Sequence, residues 1–395
     1  MYSVNQHWDP LKVCAVGKSY PPEFYSFITN TKARTVMETI AQETEEDYQK
    51  LITLLESFNV EVVRPTISDD FSEYYYNGRY MIPPMCPRDS TIMVGNKFYF
   101  GGITIPKLSW DLLYSMPRKD ILRMRMPDVP DSDFLDTPVP LPYDSLDYDN
   151  LPKFLKELAV VFGASPNLSC WGDMLTKVQS QGNEIVMNAG VNAAMLTRIG
   201  KDLYHGLWYY EEPEVTEKRA AIRNALFPEY RNHVVDTMGH NDGVYCPVVP
   251  GLIISLRDVQ TYADSFPGWE VVYLPDQSWA KVHDFRTLKK KNSGKWWVPG
   301  EEFNDDFTDF VEGWLSHWVG YVEETVFDVN MLVIDQKNVV CNNYNKDVFD
   351  ALERYGVTPH VINFRHRYFW DGGLHCITSD LHRDGDQVDY FPERG

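Results

Sequence analysis

The hydrophobic residues of this chain fall into short runs rich in β-branched side chains, with polar stretches between them. Runs of this length and composition predict strands more readily than helices. They occur at Val13–Val16, Val60–Val63, Thr91–Val94, Leu252–Ser255, Glu270–Leu274, Met331–Ile334 and Val361–Phe364. The pattern therefore predicts many short strands spread over the whole chain.

Two segments have helical periodicity instead. Apolar residues recur at helical spacing through Thr39–Phe58, which predicts an amphipathic helix that leads through Asn59 into a strand. Val348–Tyr355 predicts a second helix, closed by Gly356 at its C-terminal end. Recurrent strand–helix–strand units predict an α/β protein.

The chain of 395 residues is long enough for two or three domains. Two segments differ from the rest, since Pro117–Pro152 is rich in proline and aspartate and Phe285–Asp309 is polar, with a short basic run at Lys289–Lys291. Both keep aromatic or apolar residues, unlike flexible linkers. We therefore predict one domain over residues 1–395, with long surface loops near 117–152 and 285–309.

The overall charge restricts the classes of partner. Lys and Arg number 37 and Asp and Glu 57, which gives a net charge of −20 and argues against nucleic acid as a partner. No window approaches the ~18 apolar residues of a membrane span, and polar residues near the N-terminus argue against a signal peptide. Six cysteines without pairing spacings predict free thiols and a reducing compartment, and hence a cytoplasmic location.

A pair of glycines lies close before a cysteine in the segment Asp371–Cys376. Glycines allow sharp turns and close approach to a ligand, and a thiolate is a strong nucleophile when positive charge or backbone donors favour it. Candidate sources of charge are Arg365, Arg367 and Arg383. The alternative is a buried, inert cysteine in a glycine-rich turn. The residues alone leave both readings open.

Three further polar segments are candidates for chemistry. His240 and Asp242 lie two residues apart before an apolar strand at Val248–Ser255, and on an extended segment they would project to one side. The histidine could act as general acid and base and the carboxylate could bind a guanidinium, while a polar turn is the alternative. Arg88-Asp89 and the stretch from Asn192 to Asp202 are weaker signals, each also compatible with a turn or corner.

Other classes of site lack their signatures. No pair of ligands has zinc spacing, no Gly-x-Ser-x-Gly segment is present, and no glycine-rich phosphate loop occurs. We therefore predict neither a metal ion nor a cofactor.

Taken in order, the motifs resemble those of the glycine amidinotransferase family, in the pentein superfamily, over nearly the whole chain. They are Trp8-Asp9-Pro10-Leu11 leading to Val16-Gly17, Pro87-Arg88-Asp89 followed by Val94-Gly95-Asn96, Arg198-x-Gly200-x-Asp202, His240-x-Asp242 before Pro250-Gly251, and Gly372-Gly373-Leu374-His375-Cys376 with Thr378 and Asp380. The resemblance implies a five-bladed α/β propeller, built from five ββαβ units around a central axis.

The same resemblance implies a role for each motif residue. Cys376 would be the nucleophile and His240 the general acid and base. The guanidinium of arginine would lie between Asp89 and Asp242, near Gly373. A further substrate-binding role falls, more loosely, on Arg257.

One position departs from the family. Where the family has an aspartate beside the catalytic histidine, this chain has Asn192. Asparagine can accept a hydrogen bond from His240 and orient its ring, but it cannot stabilise the imidazolium by charge.

The resemblance therefore implies an amidinotransferase that moves the amidino group of arginine, through a covalent adduct on Cys376, to glycine or another small amine, with release of ornithine. The expected partners are these small molecules, and family members are often dimers, which makes a homodimer one expectation. The alternatives are an arginine deiminase-like hydrolase and a catalytically silent guanidine-binding protein. The acceptor amine cannot be read from the sequence.

Overall fold

The structure of the protein is a computed structural model. It describes residues 1–76, 79–80, 82–100, 168–187, 193–206, 220–221, 223–237, 239–256, 262–274, 298, 300–301, 304–314 and 327–394. The predicted loop near 117–152 lies outside these residues, as does most of the loop near 285–309. The part of the latter that is described includes the start of a helix at Asp305.

Seventeen strands are described, in chain order. They are β1 (Leu11–Val16), β2 (Glu61–Val63), β3 (Tyr75–Tyr76), β4 (Arg79–Tyr80), β5 (Thr91–Val94), β6 (Lys97–Phe100), β7 (Glu184–Met187), β8 (Leu196–Ile199), β9 (Asp202–Gly206), β10 (Arg231–Val235), β11 (Tyr245–Val249), β12 (Leu252–Ser255), β13 (Glu270–Tyr273), β14 (Leu332–Asp335), β15 (Asn338–Cys341), β16 (Thr358–Val361) and β17 (Thr378–Arg383).

The strands form several small sheets of one recurring design. Five sheets have three strands each, in the orders β17-β1-β2, β5-β6-β7, β8-β9-β10, β11-β12-β13 and β14-β15-β16, and β3 pairs with β4 alone. In every three-stranded sheet one pair is antiparallel and the other is parallel. A parallel pair needs a crossover connection, so the design combines strands with helices and confirms the predicted mixed α/β class.

The described helices are α1 (Thr31–Ser57), α2 (Gly172–Ser180), α3 (Tyr262–Ser265), α4 (Asp305–Trp314), α5 (Lys346–Arg354) and α6 (Arg367–Trp370). Helix α1 begins eight residues before the predicted start at Thr39, because Asn30 caps it by accepting hydrogen bonds from the backbone of Lys32 and Ala33. It ends as predicted, with Asn59 in the left-handed region at φ 58°. Helix α5 is followed by Gly356 at φ 69°, which confirms the predicted glycine at its end.

Two strand predictions were wrong in their bounds. The apolar run Val361–Phe364 largely follows β16, because β16 pairs with β15 only until Val361 lies opposite Cys341. The run Val248–Ser255 is divided between β11 and β12, with Gly251 at φ 93° in the tight turn that joins them. In both cases the partner strand sets the boundary, and the sequence pattern does not contain that information.

A buried cluster of charges joins several of these sheets. Asp380 on β17 is fully buried and pairs with Arg88, with Arg198 on β8 at 2.8 Å and with Arg383 at 2.8 Å. Arg383 also donates to the backbone carbonyl of Val333 on β14. The four charged side chains thus connect strands from different parts of the chain. They lie next to the segment that carries the candidate nucleophile, since the backbone N–H of Arg88 donates to the carbonyl of Cys376 at 3.4 Å.

None of the described helices is both long enough and apolar enough to cross a membrane.

Candidate active site

Cys376 lies in the short loop that joins α6 to β17. The loop begins at Asp371, which adopts the left-handed conformation at φ 53°. The two glycines allow close packing: a Cβ on Gly372 would lie 2.8 Å from the sulfur of Cys86, and one on Gly373 would lie 2.6 Å from Asn330 Oδ1. The glycines therefore make room for neighbouring side chains, and a close approach to a ligand stays a prediction.

The thiol of Cys376 is buried, with 2% of the residue exposed. Asn330 Nδ2 donates a hydrogen bond to the sulfur at 3.0 Å, and the thiol donates to Asp242 Oδ2 at 3.5 Å. The sulfur thus lies between an amide donor and a carboxylate.

Asp242 lies in a tight 3₁₀ turn, Asn241–Gly243, and not on the extended segment that the sequence predicted. Its Oδ2 accepts a hydrogen bond from His375 Nδ1 at 2.7 Å, whereas Oδ1 is buried without a hydrogen-bond partner. Burial raises the pKa of Asp242, but the hydrogen bond and charge of His375 and the charges of His240 and Arg88 outweigh it, so the pKa lies below the ordinary value. Asp242 is therefore an anion at neutral pH, with one oxygen still able to accept a donor.

Asp89 ends another 3₁₀ turn, Pro87–Asp89, and is partly exposed. Burial within the protein raises the pKa of Asp89 to about 7, with the negative charges of Asp242 and Asp371 adding to the effect against the positive charges of His240 and Arg88. At neutral pH this carboxyl group is therefore divided between its acid and its anionic form.

His240 directly precedes the Asp242 turn and is partly exposed. As an imidazolium it lowers the pKa of both Asp89 and Asp242, so the structure brings these three predicted residues into one electrostatic site together with Cys376. Asn192 and Arg257 lie outside the described residues.

The three arginines predicted as sources of charge for the thiol are engaged elsewhere. Arg365 binds Asp47 and Glu46 on α1. Arg367 donates to Asn363 and the carbonyl of Phe364, and Arg383 binds Asp380. These contacts hold each guanidinium in a different part of the fold, and the effect of the three arginines on the thiol stays a prediction.

The Arg-x-Gly-x-Asp motif also has structural contacts. Arg198 binds Asp380, Gly200 forms the turn between β8 and β9 at φ 60°, and Asp202 binds Arg231 and His233. The corner that the sequence indicated is therefore held by buried ion pairs.

Sequence reasoning missed three residues of the site: His375, Asn330 and His7. His375 was visible only as a neighbour of the cysteine, and Asn330 only as a polar residue before a strand. The ring of His7 lies 5.8 Å from that of His375, and its Nε2 is buried without a hydrogen-bond partner. Burial holds the pKa of His7 well below its ordinary value, so this histidine is neutral.

A small cavity lies beside these groups, with a volume of about 20 Å³. Its lining includes His7, Asp242 and His375. A volume of this size holds about one water molecule. Among the residues that the structure describes, no three His, Cys, Asp or Glu side chains are grouped to bind a metal ion.

Comparison with known proteins gives relatives at low identity. The chain is 23% identical over 207 residues to an L-arginine:L-lysine amidinotransferase of Pseudomonas savastanoi pv. phaseolicola, a match that covers 51% of this chain and 46% of the relative. It is 22% identical over 415 residues to the mitochondrial glycine amidinotransferase of Xenopus tropicalis, covering 97% of this chain and 83% of the relative. The first of these matches thus spans less than half of the relative's length. No known protein-family profile matches the chain.

Among solved structures, the chain is similar to an inosamine-phosphate amidinotransferase from Streptomyces griseus. The TM-score is 0.59 at 16% identity, and the superposition covers 99% of both chains. At this identity the likeness shows a shared fold.

Proposed function

We propose that this chain, whose sequence is similar to glycine and arginine:lysine amidinotransferases, transfers the amidino group of arginine to an amine. The observation that supports this most directly is the placement of an anionic carboxylate, Asp242, beside the thiol of Cys376 at 3.5 Å. An anion beside a thiol disfavours the thiolate until a cation arrives. A guanidinium is a planar cation of the right charge to occupy that position.

Binding of the guanidinium rests on two carboxylates. The unpartnered Oδ1 of Asp242 accepts one N–H of the substrate, which removes the cost of a buried acceptor without a donor. Asp89 loses its proton and accepts further N–H groups, and the pair of anions fixes the plane of the guanidinium. The family resemblance also gives Gly373 a role near the substrate, and its missing side chain leaves room for Asn330, which contacts the nucleophile.

The chemistry then proceeds in two halves. The Cys376 thiolate attacks the guanidinium carbon to form a neutral tetrahedral adduct. The two carboxylates stabilise the positive charge of the guanidinium before this step and of the amidino group on sulfur after the amine has left. The bond from that carbon to the ornithine nitrogen breaks as His240 gives the leaving amine a proton, and an amidino group remains on the sulfur. An acceptor amine attacks the same carbon, His240 takes its proton, and the carbon–sulfur bond breaks to restore the thiolate.

The remaining assignments follow from the family resemblance. Asn192 is proposed to orient the ring of His240, and Arg257 to bind the carboxylate of arginine. The five three-stranded sheets of one design support the proposal of five ββαβ units around a central axis, within a single domain of residues 1–395. A homodimer and a cytoplasmic location stay predictions.

The acceptor is best sought among the amines that the relatives' names contain. Those names contain glycine, lysine and inosamine phosphate. The test is to incubate the protein with arginine alone and with each amine in turn, and to measure ornithine, citrulline and the intact mass of the protein. We expect a mass increase of one amidino group in arginine alone, and ornithine turnover only when an accepted amine is present.

Two variants control this experiment. Cys376→Ala should form no adduct, while Cys86→Ala, which removes the sulfur beside Gly372, should still form it at Cys376. Production of citrulline in the absence of an amine would show that the protein is a hydrolase and not a transferase. The absence of any adduct or product from the parent protein would indicate the silent guanidine-binding protein.

A further inference from the structure

Asn330 lies two residues before β14 and is fully buried. Its side chain contacts the candidate nucleophile with both ends of the amide. Oδ1 accepts from the backbone N–H of His375 at 2.8 Å and of Cys376 at 3.3 Å. Nδ2 donates to Cys376 Sγ at 3.0 Å and to the backbone carbonyl of Asp242 at 3.2 Å. We propose that Asn330 is a positioning residue that aims the Cys376 sulfur and favours its thiolate form.

The orientation of this amide is determined by its surroundings. Two backbone N–H groups converge on one end, and only an oxygen can accept from them. The other end must then be the NH₂ group, which faces the sulfur and a carbonyl. An N–H donor aimed at sulfur is worth more to a thiolate than to a thiol, since hydrogen bonds to ions are stronger. Asn330 therefore favours the thiolate of Cys376, whereas the Asp242 carboxylate disfavours it.

A second asparagine supports the first without contacting the sulfur. Asn342 is fully buried, donates to the backbone carbonyls of Asn330 at 2.7 Å and Phe327 at 2.9 Å, and accepts from the backbone of Leu374 at 3.2 Å. Asn342 holds the same loop as Asn330. A variant at Asn342 therefore distinguishes a general effect of loop stability from a specific effect on the Cys376 thiol.

The inference rests on the proposed function for its meaning, but its test does not require arginine. Asn330→Asp keeps the size and the acceptor oxygen and replaces the donor facing the sulfur with an anion. The rate of alkylation of Cys376 by iodoacetamide, measured by peptide mass spectrometry across pH, should shift its midpoint upward by about one pH unit, which is about tenfold slower reaction below the midpoint. The matched variant Asn342→Asp should keep the midpoint of the parent.

An unchanged profile in Asn330→Asp would overturn the proposal, and so would equal shifts in both variants. If Asn330→Asp does not fold, the alternative test is NMR of the parent protein with labelled asparagine, which follows the side-chain amide resonance of Asn330 across pH. That resonance should titrate over the same pH interval as alkylation and should not do so in Cys376→Ala; a resonance insensitive to pH would count against the proposal. The two proposals can fail separately. If Asn330→Asp shifts the pH profile of alkylation but the parent protein forms no amidino adduct, the role of Asn330 is supported and only the transfer reaction is rejected.

Discussion

Two carboxyl groups of the site, Asp89 and Asp242, differ in protonation although their negative charges act on each other. His375 donates to Asp242 and keeps its pKa low, whereas burial raises the pKa of Asp89 to about 7. Pairs of titratable groups whose environments separate their pKa values are typical of sites that change protonation state when a ligand binds. Asp89 is therefore the carboxyl group that is still partly protonated at neutral pH, and it loses its proton when the cationic substrate binds.

This difference predicts a pH dependence of arginine binding. The cation binds the ionised form of Asp89, so affinity for arginine should be highest above pH 7. Below pH 7 the affinity should fall by about tenfold for each pH unit, until Asp89 is protonated in the arginine complex as well as in the free protein. Calorimetric titration of the Cys376→Ala protein with arginine measures affinity without turnover. Asp89→Asn should bind weakly at every pH and lose this dependence, and a parent affinity that stays constant between pH 5 and pH 8 would contradict the assignment.

At the scale of elements, the loop between α6 and β17 depends on the absence of a side chain at Gly373. A methyl group there would lie 2.6 Å from Asn330 Oδ1 and 2.8 Å from the ring of Phe327, and both neighbours are held in the core. The loop would have to move, and a displacement of about 1 Å at a nucleophile can cost about 10²-fold in rate.

Gly373→Ala should therefore slow formation of the amidino adduct by about 10²-fold in single-turnover mass measurements. The control is Gly172→Ala, at the first residue of α2, where a Cβ would have no neighbour within 4 Å. That variant should match the parent in rate, and equal losses in both variants would mean that the steric argument is wrong.

The elements differ in how far the sequence predicts them. The end of α1 was predictable because Asn59 follows the last periodic residue. Its start was missed although local signals mark it, since Asn30 is a capping residue and Ala33, Val36 and Met37 extend the helical spacing. The strands were found by composition, and their ends at Val361 and Val249 were not, since those ends depend on the pairing partner. Local patterns thus determine which elements form, and tertiary pairing determines where they stop.

For the candidate site, the motifs led to Cys376, His240, Asp89 and Asp242, which share one electrostatic site in the structure. Asn330 could not be found in this way, because it is 46 residues from Cys376 and its importance appears only when β14 lies beside the loop. The amide orientation and the unpartnered oxygen of Asp242 are likewise properties of packing.

At the scale of the whole molecule, Asp380 is the charge on which three buried arginines depend. Its pKa is held well below the ordinary value: burial opposes this, but Arg198, Arg88 and Arg383 outweigh it. The stability that this carboxylate provides is therefore present at neutral pH and is lost as the pH falls through its folded-state pKa. Removing one partner of a buried ion pair leaves uncompensated charge, which typically costs about 3–5 kcal/mol.

Asp380→Asn should accordingly lower the free energy of unfolding in urea by about 3–5 kcal/mol. Asp384→Asn provides the matched comparison, since its side chain is 65% exposed and lies 3.7 Å from Lys12 in a surface pair. That change should cost under about 1 kcal/mol. Similar urea midpoints for the two variants would show that the buried cluster does not hold the sheets together.

The pairing of β1 with β17 has a consequence for how the protein is made. Arg383 binds the backbone of Asp9, which lies 374 residues earlier in the chain. Synthesis proceeds at about 5–20 residues per second, so β17 emerges from the ribosome on the order of tens of seconds after β1, its antiparallel partner. Throughout that interval one edge of β1 is open to other chains, and the cysteine loop is not yet in place. Chaperone binding to the nascent N-terminal segment is therefore expected, and activity should arise only after β17 has docked.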